Sequence, residues 1–352
     1  MQNKREVTFD LLRIICAFCI VTIHICAMEW DKLIAPSLSY SVTNIYESLS
    51  RWGIPGFIML SGAFLLSKDK GFDIKTFYKK YILRIVVILL IWGTLYGVLL
   101  KFEELGTFDF NNVYTSLIDV LTGNAQDRLW FLYMILGLYI VTPIIKVFVN
   151  NAKKQEILYY LTLVFILNIT IPYLMQFNIL NNISMLIYKL HIDIVLGYVG
   201  YYVAGYYIKN FTISKKESIL IYILGIIGLL FTVIASQIQS IKVGYGYQPF
   251  YGYLSPNVAL TTIAVFLLFK NCVSKIKFSD KLTKIITTIS SCTLGIYLVH
   301  TIFNQLFIML DIVPSKFNEI IAVPLITTII FVLSFGVIWI IKKIPVVSKL
   351  VI

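Results

Sequence analysis

The chain has 352 residues, of which 59% are hydrophobic and 14% are charged, and its mean hydropathy is +0.84. These values exclude a soluble domain of this size and are typical of a polytopic helical membrane protein. The net charge of +12 would suggest nucleic-acid binding in a soluble protein, but the cations lie in short loops between apolar segments, where they set membrane topology instead. We therefore expect the lipid bilayer, and no nucleic acid, as a partner.

Residues 9–28 form the first apolar segment, and they contain Arg13 and His24. A separation of 11 residues places both side chains on one face of a helix, roughly 16 Å apart along its axis. Ionisable residues are costly inside a membrane, so one interpretation is that this pair has a function. The other is that Arg13 extends its charge to the inner interface and His24 is a hydrogen-bonded core histidine. No small-residue cleavage site follows the segment, so it is predicted to remain as the first helix.

Hydropathy predicts about ten membrane spans, so the fold is expected to be all-α. The spans cover about residues 9–29, 43–66, 81–100, 128–149, 156–176, 190–208, 217–239, 255–271, 284–306 and 319–341. We expect a single membrane domain over residues 1–352, without a soluble extracytoplasmic domain. When the N-terminus is placed in the cytosol, 21 lysines and arginines fall on the inner side and 7 on the outer side. This asymmetry predicts a multi-pass protein with both termini cytoplasmic. The membrane is expected to be the plasma membrane.

Two loop segments have a distinctive composition. Residues 68–84 carry six cations, which could lie on anionic lipid or bind the phosphates of a cytosolic donor, although the positive-inside bias explains their number without any function. Arg84 lies within the following apolar run and is harder to explain by topology. Residues 241–256 are rich in Tyr, Gly and Pro. Such aromatic faces stack on sugar rings, but Tyr is also enriched at any membrane interface.

A second polar stripe occurs late in the chain, where Thr293, Tyr297, His300 and Asn304 recur at i, i+4, i+7 and i+11. Lipid offers such side chains no partner, so the stripe is predicted to face the protein interior or a cavity. In the predicted topology His24 and His300 lie at similar depth. Two imidazoles at matched depth suit proton transfer or nucleophilic chemistry at an occluded site, and they equally suit a proton-coupled transporter.

No nucleotide-binding, zinc-protease or serine-hydrolase motif occurs, and nothing in the sequence requires a metal. The five cysteines have no zinc or redox spacing and are predicted to be small buried apolar residues. His191 is predicted to lie at the interface, at an outer helix end near Asp193.

Four motifs occur in order along the chain. They are the Arg13 and His24 pair separated by ten residues, GFIMLSGAFLL at 56–66, LWFLYMILGLYIVTP at 129–143, and TLGIYLVH at 293–300. Together they resemble the acyltransferase-3 family of integral membrane acyltransferases over nearly the whole chain. The pattern departs from the family at Arg128, where a histidine is frequent, and at Tyr81, which takes the first place of an arginine pair whose second place is Arg84. Lys79 and Lys80 are the cations that could take that first place.

The resemblance implies an O-acyltransferase, usually an O-acetyltransferase, that moves an acyl group from cytosolic acyl-CoA to a hydroxyl of a cell-envelope glycan or lipid-linked sugar. Acyl-CoA is then a co-substrate, and no permanently bound cofactor or metal is expected. His24 is expected to act as general base or transient acyl acceptor beside Arg13, while Arg84 and Lys80 hold the donor. The residues expected to line the cavity or meet the acceptor are Ser61, Tyr297, His300, Asn304, Arg128 and Trp130.

The sequence leaves an alternative function and the oligomeric state open. A transporter or exporter of a glycan or small metabolite, without acyl transfer, also fits a chain with ionisable residues inside its membrane helices. A homo-oligomer is equally compatible with the sequence.

Overall fold

The computed structural model describes residues 6–67, 72–106, 109–125, 127–180, 189 and 197–344. The helices of the first part of the chain are α1 (Val7–Cys26), α2 (Leu38–Ser50), α3 (Gly53–Leu65), α4 (Ile74–Phe77), α5 (Leu83–Leu105), α6 (Phe110–Thr122), α7 (Trp130–Asn151), α8 (Lys154–Leu163) and α9 (Ile171–Met175). Those of the second part are α10 (Val199–Asn210), α11 (Lys215–Val243), α12 (Pro256–Asn271), α13 (Asp280–Ser290), α14 (Thr293–Met309) and α15 (Glu319–Ile341). Across these described residues there is no β-strand, and an isolated bridge pairs Ile34 with Tyr245.

Eight helical stretches in the described residues are long and apolar enough to cross a membrane. They are Val7–Lys32, Ile74–Glu104, Trp130–Asn151, Lys154–Met175, Lys215–Val243, Pro249–Lys275, Thr293–Lys316 and Glu319–Ile341. The prediction of an all-α polytopic membrane protein is thereby confirmed. The count of ten spans and the cytoplasmic placement of both termini stay predictions.

The predicted span 43–66 is divided into two helices of 13 residues each, α2 and α3, which are separated by a turn at Arg51 and Trp52. Pro55 lies in the first turn of α3, where its missing N–H costs no intrahelical hydrogen bond. The predicted span 284–306 is likewise interrupted, between α13 and α14. The first residues of the predicted span 190–208, including His191, lie outside the described residues.

The helices group into two compact units, Met1–Ser67 with Val149–Phe335, and Lys68–Phe148 with Gly336–Ile352. The sequence-based expectation of a single domain stays a prediction. In the first unit, α1 contacts α2, α3, α12, α13 and α14. Its 20 residues contain no Gly or Pro, and Leu12, Cys16 and Ile20 are almost completely buried. α1 is therefore the helix around which the first unit packs.

Helices α3 and α10 pack backbone against backbone. A Cβ atom at Gly62 would lie 1.8 Å from the carbonyl oxygen of Tyr202, and one at Gly205 would lie 1.9 Å from that of Met59. Since the later residue on α3 meets the earlier residue on α10, the two helices run antiparallel. Only glycine permits this approach, which resembles the small-residue contacts typical of membrane helices.

Small residues also mediate the contact of α1 with α3. A Cβ atom at Gly53 would lie 2.6 Å from Cβ of Cys19, and one at Gly56 would lie 2.8 Å from Sγ of Cys16. These two cysteines, with Cys26 and Cys292, are buried as the sequence predicts, whereas Cys272 is exposed. The prediction was wrong for Cys272 because that residue follows the end of α12 rather than lying within it.

In the second unit, α5 and α6 pack together through Gly93 and Gly97, which face Val120 and Ser116. Residues 101–127 carry five acidic side chains, and α6 occupies much of this segment. The Lys101 ammonium lies 2.8 Å from the Asp119 carboxylate and 2.8 Å from the Thr115 hydroxyl. Part of the acidic charge of this segment is thus engaged in an ion pair.

Candidate functional site

A polar cluster lies at the N-terminal end of α1. Arg13 Nη1 donates to Oδ1 of Asp10 at 2.9 Å and to Oγ of Ser290 at 3.1 Å, and the Ser290 hydroxyl donates to the same Asp10 oxygen at 2.6 Å. Asp10 is 4% exposed, and the Arg13 guanidinium also lies over the Phe64 ring, with Cζ 5.8 Å from its centroid. Arg13 is therefore held in a defined orientation, which a side chain that only extends to the interface would not require.

A pair of imidazoles lies near the other end of the same helix. The ring centroids of His24 and His300 are 5.0 Å apart, and that of Tyr297 is 5.9 Å from His300. Arg13, near the start of α1, contacts Ser290 at the end of α13, and His24, near the end of α1, contacts His300 on α14. The chain from Ser290 to His300 therefore runs in the same direction as α1. The contact confirms that the two histidines lie at similar depth.

The polar stripe of α14 is buried, as predicted. Thr293, Tyr297, His300 and Asn304 are 3%, 6%, 1% and 1% exposed. Nδ1 of His300 lies 3.2 Å from the carbonyl oxygen of Ile296. A carbonyl can only accept, so this nitrogen carries the hydrogen, and in the neutral ring Nε2 is the acceptor nitrogen. His300 thus has a fixed tautomer beside His24.

The other predicted site residues are distributed over both units. Ser61 lies on α3 in the first unit, and its hydroxyl donates to the carbonyl oxygen of Phe57 on its own helix, at 3.0 Å. Four predicted residues belong to the second unit. Lys80 and Arg84 are exposed at the start of the α5 stretch, and Arg128 and Trp130 are half-buried at the start of α7. The roles that the sequence suggests for these residues stay predictions.

A buried ion pair that is absent from the sequence-based predictions lies between α2 and the segment before α12. Glu47 is 2% exposed and accepts a hydrogen bond from Arg51, one helical turn later. Arg51 also donates to the Tyr253 hydroxyl at 3.2 Å and lies over the Tyr251 ring at 5.0 Å. In the predicted topology, Arg51 is one of the seven cations on the outer side. Its i, i+4 spacing from Glu47 is the sequence signal that could have indicated the ion pair.

An aromatic cleft of about 570 Å³ adjoins this ion pair through Trp30, whose ring centroid is 5.7 Å from that of Tyr251. The cleft is lined by Trp30, Asp31, Leu33, Tyr245, Gly246, Tyr247, Gln248 and Pro249. Trp30 lies six residues beyond His24, just after the end of α1. The Tyr-rich segment 241–256 therefore forms a wall of this cleft, which its composition alone could not establish.

Among the described residues, no group of three or more His, Cys, Asp or Glu side chains could hold a metal ion. The expectation that no metal takes part stays a prediction.

Comparison with known proteins identifies the family. The sequence profile of the acyltransferase-3 family, described as an acyltransferase domain, matches residues 6–343. No curated protein and no solved structure shows significant similarity to the chain. The matched range contains Arg13, His24 and His300. Because the match covers nearly the whole chain, the protein belongs to the acyltransferase-3 family of integral membrane acyltransferases, enzymes that transfer acyl groups other than amino-acyl groups.

Proposed function

We propose that this acyltransferase moves an acetyl group from acetyl-CoA to a hydroxyl of a cell-envelope glycan or lipid-linked sugar. The proposed location is the plasma membrane, with both termini in the cytoplasm, as the distribution of lysines and arginines supports. The observation that carries the proposal is that the ring of His24, which shares α1 with the fixed Arg13, lies 5.0 Å from the ring of His300 on α14. Imidazoles serve as bases and nucleophiles near neutral pH.

The reaction forms a C–O bond to the acceptor, breaks the C–S bond of the thioester and transfers the hydroxyl proton to the departing thiolate. His24 serves either as the base that takes this proton and passes it on, or as a nucleophile that carries the acyl group before the hydroxyl attacks. Both routes require an oriented neutral imidazole. His300 supports this role, since its fixed tautomer presents an acceptor nitrogen in the same buried region.

Arg13 is proposed to stabilise negative charge on the donor, because a guanidinium binds phosphate and carbonyl oxygens at several N–H groups. Asp10 and Ser290 are positioning residues for it, since both contact Arg13 and each other. The family resemblance extends the donor contacts to Arg84 and Lys80. It extends the cavity or acceptor contacts to Ser61, Tyr297, Asn304, Arg128 and Trp130.

The cleft beside Trp30 supports a saccharide as the acceptor. Indole and phenol rings offer flat faces to sugar rings, and Asp31 and Gln248 offer hydrogen-bonding groups beside them. Its volume falls within the range of about 300–1,000 Å³ that is usual for ligand cavities. Because the cleft begins beyond the end of α1, a sugar unit there would belong to an acceptor that extends from His24.

We expect Trp30→Ala to raise the KM for the acceptor about fivefold, because one stacked ring contributes on the order of 1 kcal/mol. Trp30→Phe, which retains an aromatic face, should keep most of the affinity. The measurement is acetyl transfer at increasing acceptor concentration, with Phe317→Ala as a control for an exposed aromatic residue that does not line the cleft. A lower kcat with an unchanged acceptor KM would instead indicate a structural role for Trp30.

The proposed function is tested by incubating membranes that contain the protein with acetyl-CoA labelled in its acetyl group. Envelope glycans and lipid-linked sugars are then recovered separately. We expect label in one of these fractions, and none with membranes that lack the protein. If folded protein leaves both fractions unlabelled and acetyl-CoA intact, the acetyl-CoA reaction is wrong, and flux of saccharides in vesicles would test the transport alternative.

A further inference from the structure

A second cavity, of about 970 Å³, lies in the first unit at the N-terminal end of α1. Its lining comes from the start of α1, the end of α10, and the segment that joins α12 to α13. The residues are Glu6, Val7, Thr8, Phe9, Lys209, Asn210, Lys270, Ser274, Ile276, Lys277, Phe278 and Thr283. Three lysines against one glutamate make this lining basic. None of these residues has a role in the acyl transfer proposed for His24 and Arg13.

Two of the lysines are held in place by the protein. The Lys209 ammonium lies 3.3 Å from the Glu6 carboxylate and 3.7 Å from the centroid of the Phe64 ring. Lys270 donates to the carbonyl oxygen of Ile208 and, at 2.6 Å, to that of Phe211, at the C-terminal end of α10. Lysines commonly satisfy the last carbonyls of a helix in this way. These contacts therefore hold both ammonium groups at the cavity.

The third lysine has a different setting. Lys277 is exposed in the segment between α12 and α13, next to Phe278. Phe278 and Phe9 give the lining two aromatic side chains. A ligand that matches a basic cavity with aromatic rings carries several negative charges and a planar group, which is the combination found in a purine nucleotide.

We propose that this cavity binds the nucleotide end of the coenzyme A donor, with Lys277 and Lys209 contacting its phosphates and Phe278 its base. The inference rests on the proposed use of acyl-CoA. It differs from the sequence-based assignment, which gives the phosphates to Arg84 and Lys80 in the second unit.

The position of the cavity on α1 supports the assignment. Phe9 precedes His24 by 15 residues, about 22 Å along a helix. A ligand that occupies the cavity and reacts at His24 therefore needs a long arm between its phosphates and its reactive carbonyl, and coenzyme A has such an arm. The path passes Arg13, which shares the Phe64 ring with Lys209. The cavity, Arg13 and His24 thus follow one another along the same helix.

The test is equilibrium binding of coenzyme A, and of pantetheine as a probe without the nucleotide, to the purified full chain in lipid nanodiscs. We expect Lys277→Glu to weaken coenzyme A binding about tenfold or more, because it removes a charge-assisted contact and adds repulsion. Pantetheine binding should be unchanged. Lys281→Glu is the matched control, since Lys281 is an exposed lysine nearby that does not line the cavity. Phe278→Ala provides a second variant without a change of charge.

Different results separate this inference from the proposed function. Coenzyme A could bind equally to the wild type, Lys277→Glu and Phe278→Ala, but weakly to Arg84→Ala. The assignment of its nucleotide end to this cavity would then be wrong, while acyl-CoA would remain the proposed donor. If Lys277→Glu and Lys281→Glu weaken coenzyme A binding equally, the loss reflects general surface charge, and the proposed cavity is also wrong. If the folded wild type binds no coenzyme A, the proposed donor fails and the inference fails with it.

Discussion

Replacing His24 with alanine is expected to lower kcat for acetyl transfer by about 10²- to 10⁴-fold, the usual contribution of a positioned acid or base. The substitution removes the imidazole that contacts His300, but it leaves Arg13 and its partners at the other end of α1 unchanged. Coenzyme A binding should therefore be retained. The measurement is transfer of labelled acetyl at saturating donor, together with donor binding by the same preparation.

Thr22→Ala is the matched control, because Thr22 is also buried on α1 and its hydroxyl donates to its own helix, at the Phe18 carbonyl oxygen. It should change the rate little. Transfer at the wild-type rate in His24→Ala would remove His24 from the mechanism. In the wild type, acetyl label bound to the protein before acceptor is added would identify His24 as an acyl carrier, provided that the label is lost in His24→Ala. Transfer without such an intermediate would identify the general-base route.

The periodicity of the sequence predicted the inward-facing polar positions of two helices. The spacing of Arg13 and His24, and the stripe from Thr293 to Asn304, both depend only on the helical repeat, which membrane helices keep closely. The predicted topology also placed His24 and His300 at similar depth, because both helices were predicted to run in the same direction. These parts of the site follow from local geometry and topology alone.

The pairings between distant residues could not be predicted in the same way. Arg13 and Ser290 are 277 positions apart, and nothing in either local pattern indicates that α13 packs against α1. The cleft beside Trp30 requires the segment 241–256 to fold back onto the residues that follow α1, as the bridge between Ile34 and Tyr245 shows. Hydropathy also missed the turn at Arg51, because a hydropathy window averages over the residues on both sides of a turn. Such features depend on which helices meet, and that information lies in no single window of sequence.

Gly62→Ala is expected to destabilise the protein by at least about 3 kcal/mol, the upper end of the usual cost of overpacking. The new Cβ would lie 1.8 Å from the Tyr202 carbonyl oxygen, and backbone atoms cannot rotate away as a side chain can. Helices α3 and α10 must therefore separate. Because α3 carries Phe64, the separation should also disturb the contact with Arg13 and reduce acyl transfer. The measurement is thermal unfolding of the detergent-solubilised protein, monitored as the loss of monodisperse protein with increasing temperature.

Gly336→Ala is the control, since no atom lies within 4 Å of the position of its Cβ among the described residues. This change should be neutral or stabilise by up to about 1 kcal/mol, because alanine favours a helix interior over glycine. Gly205→Ala should be as damaging as Gly62→Ala, since its Cβ would lie 1.9 Å from the Met59 carbonyl oxygen. The double variant should cost less than the sum of the two, because one separation of α3 from α10 relieves both clashes. Unfolding of Gly62→Ala at the temperature of Gly336→Ala would show that α3 and α10 do not pack this closely.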